Sequence, residues 1–182
     1  AKLKPMYADE VTGLQMIKDF KTYLLFTTRH LKDSEIAYLK SKSNVIPSVF
    51  PIGYDGLAFI VNKNNQDTCI TVNDIKRVLT GKATKWSDIV PGSKRGDIEV
   101  IFDNTRSATT NWVVDSVLHG EKMGAKIMAA KTSKQVIDFV DETPGAIGVI
   151  GSNWLNDRRD STNTTFKKNI HVMRVSIKDK AT

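Results

Sequence analysis

The apolar positions of this chain fall into short runs that alternate between helical and strand-like spacing. Leu14, Ile17 and Phe20 share one face of a helix over Val11 to Phe20, and Asp33 opens a second helix carrying Ile36, Tyr38 and Leu39. Thr71 is placed to cap a third helix, which runs to Leu79 and stops at Gly81. Ser107 to Leu118 forms a fourth, and Ser133 caps a fifth that reaches Val140 ahead of Pro144 and Gly145. Leu3 to Met6, Tyr23 to Phe26, Val45 to Phe50 and Ile98 to Phe102 read as strands between them. Leu57 to Val61 is apolar at every position, as in a strand buried on both faces, and Ala146 to Ile150 and Ile170 to Ile177 complete the set. Trp86 falls in a loop. Strands alternating with helices predict an α/β architecture in which helices cover a mainly parallel sheet.

A chain of 182 residues makes one large domain or two small lobes. Its 40% hydrophobic and 26% charged content, with 11 Gly and 5 Pro, excludes collagen-like, low-complexity and largely disordered classes. No apolar run approaches the ~20 residues of a membrane-spanning helix, and AKLKPMYADE lacks the apolar stretch of a signal peptide. Cys69 stands alone, so no intrachain disulfide is possible. With only His30, His119 and His171 beside it there is no metal-ligand spacing, and neither a metal nor a cofactor is expected.

Charge narrows the choice of partner. Lys and Arg total 27 against 20 Asp and Glu, a net charge of +7 and a pI near 9.4, which favours anions: nucleic acid, lipid headgroups or small oxyanions. The cations come in ones and twos, such as Lys76 with Arg77 and Lys94 with Arg95, the pattern of a solvated basic surface.

In α/β sheets ligands sit beyond the carboxyl ends of strands, beside helix starts. Two junctions have suitable chemistry. At Phe26-Thr27-Thr28-Arg29 an apolar run ends in two hydroxyls and a guanidinium, which donate to oxyanions. At the second, Phe102 is followed by Asp103, Asn104, Thr105 and Arg106, and then by Ser107, Ala108, Thr109 and Thr110 at a helix start, where backbone N–H groups and the helix dipole favour an anion. Ser and Thr are also ordinary caps, so either junction alone reads first as local structure, and it is the two together on a basic chain that bring anion binding level with it. No Gly-rich loop ends in Lys and Ser or Thr, which argues against nucleotide hydrolysis. Ser107 lacks a G-x-S-x-G setting, and Trp86, Trp112 and Trp154 read as core anchors.

Four motifs then occur in one order: Tyr54-Asp55-Gly56-Leu57-Ala58-Phe59-Ile60-Val61-Asn62, Leu79-Thr80-Gly81-Lys82 with Trp86, Ser107-Ala108-Thr109-Thr110, and Pro144-Gly145-Ala146-Ile147-Gly148. In these the chain resembles the phosphate-binding proteins of ABC transporters, over roughly Leu24 to Trp154. The resemblance implies the periplasmic-binding-protein type II fold, two α/β lobes joined by a two-strand hinge with phosphate held between them. One lobe would comprise 1–60 plus 146–182 and the other 61–145. The hinge would run through Gly56 to Asn62 and Thr143 to Gly148, with glycines absorbing the rotation. Members of the family carry a strand, a ligand-donating loop and a helix ahead of the segment matching Leu3 to Met6, so the first lobe is expected to be incomplete.

The resemblance also implies a ligand set. Ser107, Ala108, Thr109 and Thr110 would bind the oxyanion with their amides and hydroxyls, and Thr27, Thr28 and Arg29 would close from the other lobe. Better-known members have Asp after the first hydroxyl and Arg at the position of Asp103, so acid and base look exchanged between lobes. Asp103 is then expected to accept the proton that phosphate carries and sulfate lacks, with Arg29 as charge partner and Arg106 or Asp55 as substitutes.

The function expected is that of a solute-binding protein, not an enzyme. Its partners would be inorganic phosphate and an ABC transporter permease, with no nucleic acid. It would work in the periplasm or as a lipoprotein facing it, attached to the membrane only through an N-terminal anchor. Three alternatives stand beside this: a sensory or regulatory oxyanion-binding domain of the same fold, a basic nucleic-acid-binding module, and a phosphate-ester hydrolase.

Overall fold

Residues 4–44, 46–54, 56–103, 108–124, 126–156 and 169–177 are described in the computed structural model. By Cα packing the chain divides into a smaller unit of 1–54 with 106–108 and a larger one of 55–105 with 109–182.

The smaller unit is built on two helices, α1 (Glu10–Lys18) and α2 (Asp33–Ser43). Asp9 starts α1 by accepting the Thr12 N–H at 2.9 Å, and Asn44 ends α2 in the left-handed region at φ 56°. Leu14 and Leu39 are the buried large apolar side chains of this unit among the described residues. The strands expected at Tyr23 to Phe26 and Val45 to Phe50 do not form in the part that is described; Val45 lies outside it. An apolar run becomes a strand only when a neighbour takes its N–H and C=O groups, and no described segment pairs with either. Tyr23 and Phe26 are accordingly 90% and 72% exposed. Lys4 to Met6 likewise belongs to no strand, and Leu3 lies outside the described residues.

The larger unit has a five-stranded sheet. Its strands are β1 (Leu57–Asn62), β3 (Glu99–Phe102), β4 (Ile127–Ala129), β5 (Ala146–Gly151) and β6 (Ile170–Val172), in the order β4-β3-β5-β1-β6. β3 runs parallel to β4 and β5, whereas β1 runs antiparallel to β5 and β6. The sheet is therefore mixed and not mainly parallel. A strand buried on both faces has the same apolar pattern in either direction, so hydropathy carried no information about this. The expected lobe boundaries, 60 and 146, fall inside β1 and at the start of β5. The two strands pair from Leu57↔Gly151 to Val61↔Ile147.

Alternating side chains feed two cores. Ala58, Ile60, Ile101 and Ile150 meet Val136, Ile137 and Val140 of helix α5 (Ser133–Glu142) on one face. Phe59, Val61, Val100, Phe102, Ile147 and Val149 meet α3 (Val72–Leu79) and Val113 of α4 (Ala108–Ser116) on the other. Ile60, Gly148 and Ile101 form one cross-strand row. A Cβ at Gly148 would lie 2.8 Å from Ile60 Cγ1, Val136 Cγ1 and Val140 Cγ2, so glycine here lets α5 rest on the sheet. Its φ is not in the left-handed region.

Caps explain the helix limits. Thr71 Oγ1 accepts the Asp74 N–H at 2.9 Å, and Gly81, at φ 76°, ends α3 one residue beyond Thr80. Thr132, not Ser133, caps α5 by accepting the Gln135 N–H at 3.3 Å. Trp86 lies in a 3₁₀ turn, Trp86–Asp88, rather than a loop; its side chain is fully buried and its Nε1–H donates to Gly145 O at 2.9 Å.

The strand expected over Ile170 to Ile177 breaks at Met173. Met173 N–H donates to Phe59 O and Arg174 N–H to Thr68 O, each at 2.8 Å, and the chain steps into a separate parallel pair of β2 (Cys69–Thr71) with β7 (Arg174–Ser176). The short helix α6 (Asn153–Asn156), like β2 and β4, has no counterpart among the elements expected from the sequence.

Candidate functional site

Because β3 and β4 are parallel neighbours, both end at the same edge of the sheet, and each leads into a helix, β3 into α4 and β4 into α5. Ala130 N–H donates to Phe102 O at 2.7 Å, which extends the ladder one step past β4. The next residue after Phe102 is Asp103. Its Oδ2 accepts a hydrogen bond from Ser133 Oγ, on the first residue of α5, at 3.3 Å. Its Oδ1 is shielded from solvent and has no hydrogen-bond partner among the described residues.

Across the same junction α4 begins at Ala108, with Thr109 and Thr110 buried in its first turn. A helix start presents N–H groups and the positive end of a dipole, chemistry suited to an anion. Asn104, Thr105, Arg106 and Ser107, and Asp55 elsewhere in the chain, lie outside the described residues.

Thr27, Thr28 and Arg29 belong to the smaller unit. Thr27 Oγ1 donates to Glu10 Oε1 at 2.7 Å, and Thr28 is exposed. Arg29 grips Glu35 with two prongs and donates from Nη1 to His30 O at 2.7 Å, while its Nε lies 3.6 Å from Glu10 Oε1. The guanidinium expected to offset an anion thus has its charge offset by carboxylates of its own unit. Arg29's hydrogen bonds, with help from the Lys32 N–H and the charge of Lys18, hold the Glu35 carboxyl down at about 2.

Two residues of these arrangements lie outside the expected ligand set. Ser133 sits where the sequence suggests a cap, and Glu35 carries no sequence signal beyond its place in the first turn of α2. The Lys82 of the Leu79-Thr80-Gly81-Lys82 motif pairs with Glu121 at 3.2 Å. Glu121 also holds Lys76 at 2.6 Å, and both cations lower its pKa. Among the described residues no group of three or more His, Cys, Asp or Glu side chains could hold a metal ion, and no helix is long and apolar enough to cross a membrane.

The larger unit is of the α/β class that receives ligands at the carboxyl ends of its parallel strands. The chain belongs to the PBP superfamily: residues 1–181 match the family model described as a PBP superfamily domain. Phosphate-binding protein PstS of Staphylococcus epidermidis is 24% identical over 161 residues, covering 88% of this chain and 49% of that protein. Phosphate-binding protein PstS 2 of Streptococcus agalactiae is 32% identical over 82 residues, 45% of this chain and 26% of that protein. Among solved structures, an ABC-type phosphate transport receptor from Vibrio cholerae matches with a TM-score of 0.67 and 18% identity, over 93% of this chain and 63% of that one. PstS from Borrelia burgdorferi matches at 0.60 and 20%, over 91% and 62%. These likenesses establish the fold. The chain spans about half the length of the Staphylococcus epidermidis relative.

Proposed function

We propose that this chain binds inorganic phosphate as part of a solute-binding protein that supplies an ABC transporter. The observation that carries this reading is Asp103, a carboxylate at the end of β3 with one oxygen out of solvent and without a donor among the described residues. A buried acceptor left unpaired costs about 1–3 kcal/mol, and more when it is charged. A protonated phosphate oxygen supplies the missing donor; sulfate, fully ionised at neutral pH, has none to give. The start of α4 at Ala108, Thr109 and Thr110, with Arg106 and Ser107 ahead of it in the sequence, would provide donors for the remaining oxygens.

Thr27, Thr28, Arg29 and Asp55 stay in the proposed ligand set, with one condition set by the smaller unit: Arg29 has to loosen its hold on Glu35 to meet an anion. The division into lobes 1–60 plus 146–182 and 61–145 is part of the same proposal, as are a permease partner, a location in the periplasm or on a membrane surface facing it, and binding without catalysis. The names of the curated relatives support the ligand, and the fold supports the mode of action.

Isothermal titration of the dialysed chain with phosphate and with sulfate tests the reading, together with melting curves in each salt. Saturable binding that favours phosphate and raises the melting temperature is expected. Equal response to the two anions, or none to either, would overturn it.

A further inference from the structure

We infer that Ser133 positions the Asp103 carboxylate for phosphate recognition, an inference that rests on the function proposed above. Ser133 is 5% exposed and occupies the first residue of α5, yet Thr132 does the capping. Its hydroxyl is therefore not needed to start the helix. A buried hydroxyl finds a partner, and this one meets Asp103 Oδ2, 30 residues away in the chain. In this bond the Ser133 hydroxyl donates and Asp103 Oδ2 accepts.

The bond matters because the last torsion of an aspartate is broad and nearly two-fold. A carboxylate tethered at Oδ2 has one defined oxygen, Oδ1, left as the acceptor, and this is the oxygen that lacks a partner among the described residues. Both ends of the tether are set by one framework. Asp103 follows β3 and Ser133 follows β4, and the two strands are paired from Val100↔Ile127 to Phe102↔Ala129, with the Ala130 N–H on Phe102 O beyond them. Ser133 thus acts on selectivity through Asp103, as a positioning residue rather than as a ligand.

The test is a set of titrations with phosphate and with sulfate on Ser133→Ala, Ser133→Thr, Asp103→Asn and the Ser133→Ala/Asp103→Asn pair in the full chain. Ser133→Ala is expected to narrow the phosphate-to-sulfate affinity ratio by roughly tenfold, the scale of one hydrogen bond to a charged group. Ser133→Thr, which keeps the hydroxyl, is expected to restore the ratio. Ser133→Ala should add nothing in the Asp103→Asn background, because the group it orients has lost its role. Ser133→Cys keeps the size and weakens the donor, and gives the same comparison if the alanine variant folds poorly. A Ser133→Ala chain that loses affinity for both anions alike, or a further narrowing in the double variant, would show a purely structural role and overturn the inference. An Asp103→Asn effect with no Ser133→Ala effect would overturn it alone and leave the phosphate reading intact. A parent chain without preference, or an unchanged ratio in Asp103→Asn, would remove both.

Discussion

Arg29 closes a two-pronged fork on Glu35, with Nη1 2.9 Å from Oε2 and Nη2 3.0 Å from Oε1. Glu35 Oε2 also accepts the Lys32 N–H at 2.9 Å, so one carboxylate ties the loop before α2 to the helix start. Among the described residues of this unit the buried large apolar side chains are Leu14 and Leu39, so the Arg29–Glu35 tie is set beside a small apolar core.

The first prediction concerns acid. Glu35 titrates at about 2 in the folded chain against an ordinary 4.5. A depressed carboxyl stabilises the folded state above the unfolded value, and the contribution is lost as pH falls from 4.5 toward 2. Glu35→Gln should cost about 2 kcal/mol at pH 7, and the gap to the parent should shrink across that window. Urea denaturation at several pH values measures it. A gap that is the same at neutral pH and near the bottom of the window would show that the ion pair does not supply the stability.

A second prediction concerns selectivity. Asp103→Asn replaces an acceptor-only group by one that can also donate, with little change in shape. The preference for phosphate over sulfate should fall by about tenfold or more, read as the ratio of two titrations. An unchanged ratio would exclude Asp103 as the proton acceptor.

Packing at Gly148 gives a third. Gly148→Ala places a methyl against Ile60, Val136 and Val140 at once, and overpacking of this kind costs about 1–3 kcal/mol. Gly53→Ala, where nothing lies within 4 Å of the added carbon, should stay within about 0.5 kcal/mol of the parent. Equal denaturation midpoints for the two variants would mean that α5 moves aside freely, and Gly148 would then be better explained by hinge motion.

Trp86→Phe supplies the fourth. It removes the shorter of the two hydrogen bonds to Gly145 O, which keeps the Glu99 N–H at 3.4 Å, and also shrinks a fully buried side chain, so a loss of about 1–3 kcal/mol is expected in urea denaturation. A loss below about 0.5 kcal/mol would show that the indole donor is dispensable and that the Trp86 and Gly145 motifs are not coupled through it.

Local chemistry made the helices legible. Thr71 and Gly81 act within one turn of themselves, so their effect can be read without knowing what lies across the fold. β1 and β5 were legible for a related reason, since their apolar runs admit little but burial on both faces. Tyr23 to Phe26 has a similar apolar pattern and forms no strand, because a strand needs the partner that pattern cannot supply. β4, three residues long, was too short to register.

The α/β class, the approximate positions of α1 to α5 and the βα junction that places Asp103 before the start of α4 could all be read from the amino-acid sequence. It could also show that a hydroxyl and a guanidinium stand together at Thr27 to Arg29. Strand direction, the capture of Arg29 by Glu35 and the bond from Ser133 to Asp103 emerge only in the folded chain. The physical reason is the same in each case. A cap or an apolar run is written in neighbouring residues, whereas a contact made across the paired ends of β3 and β4 exists only once those strands have met.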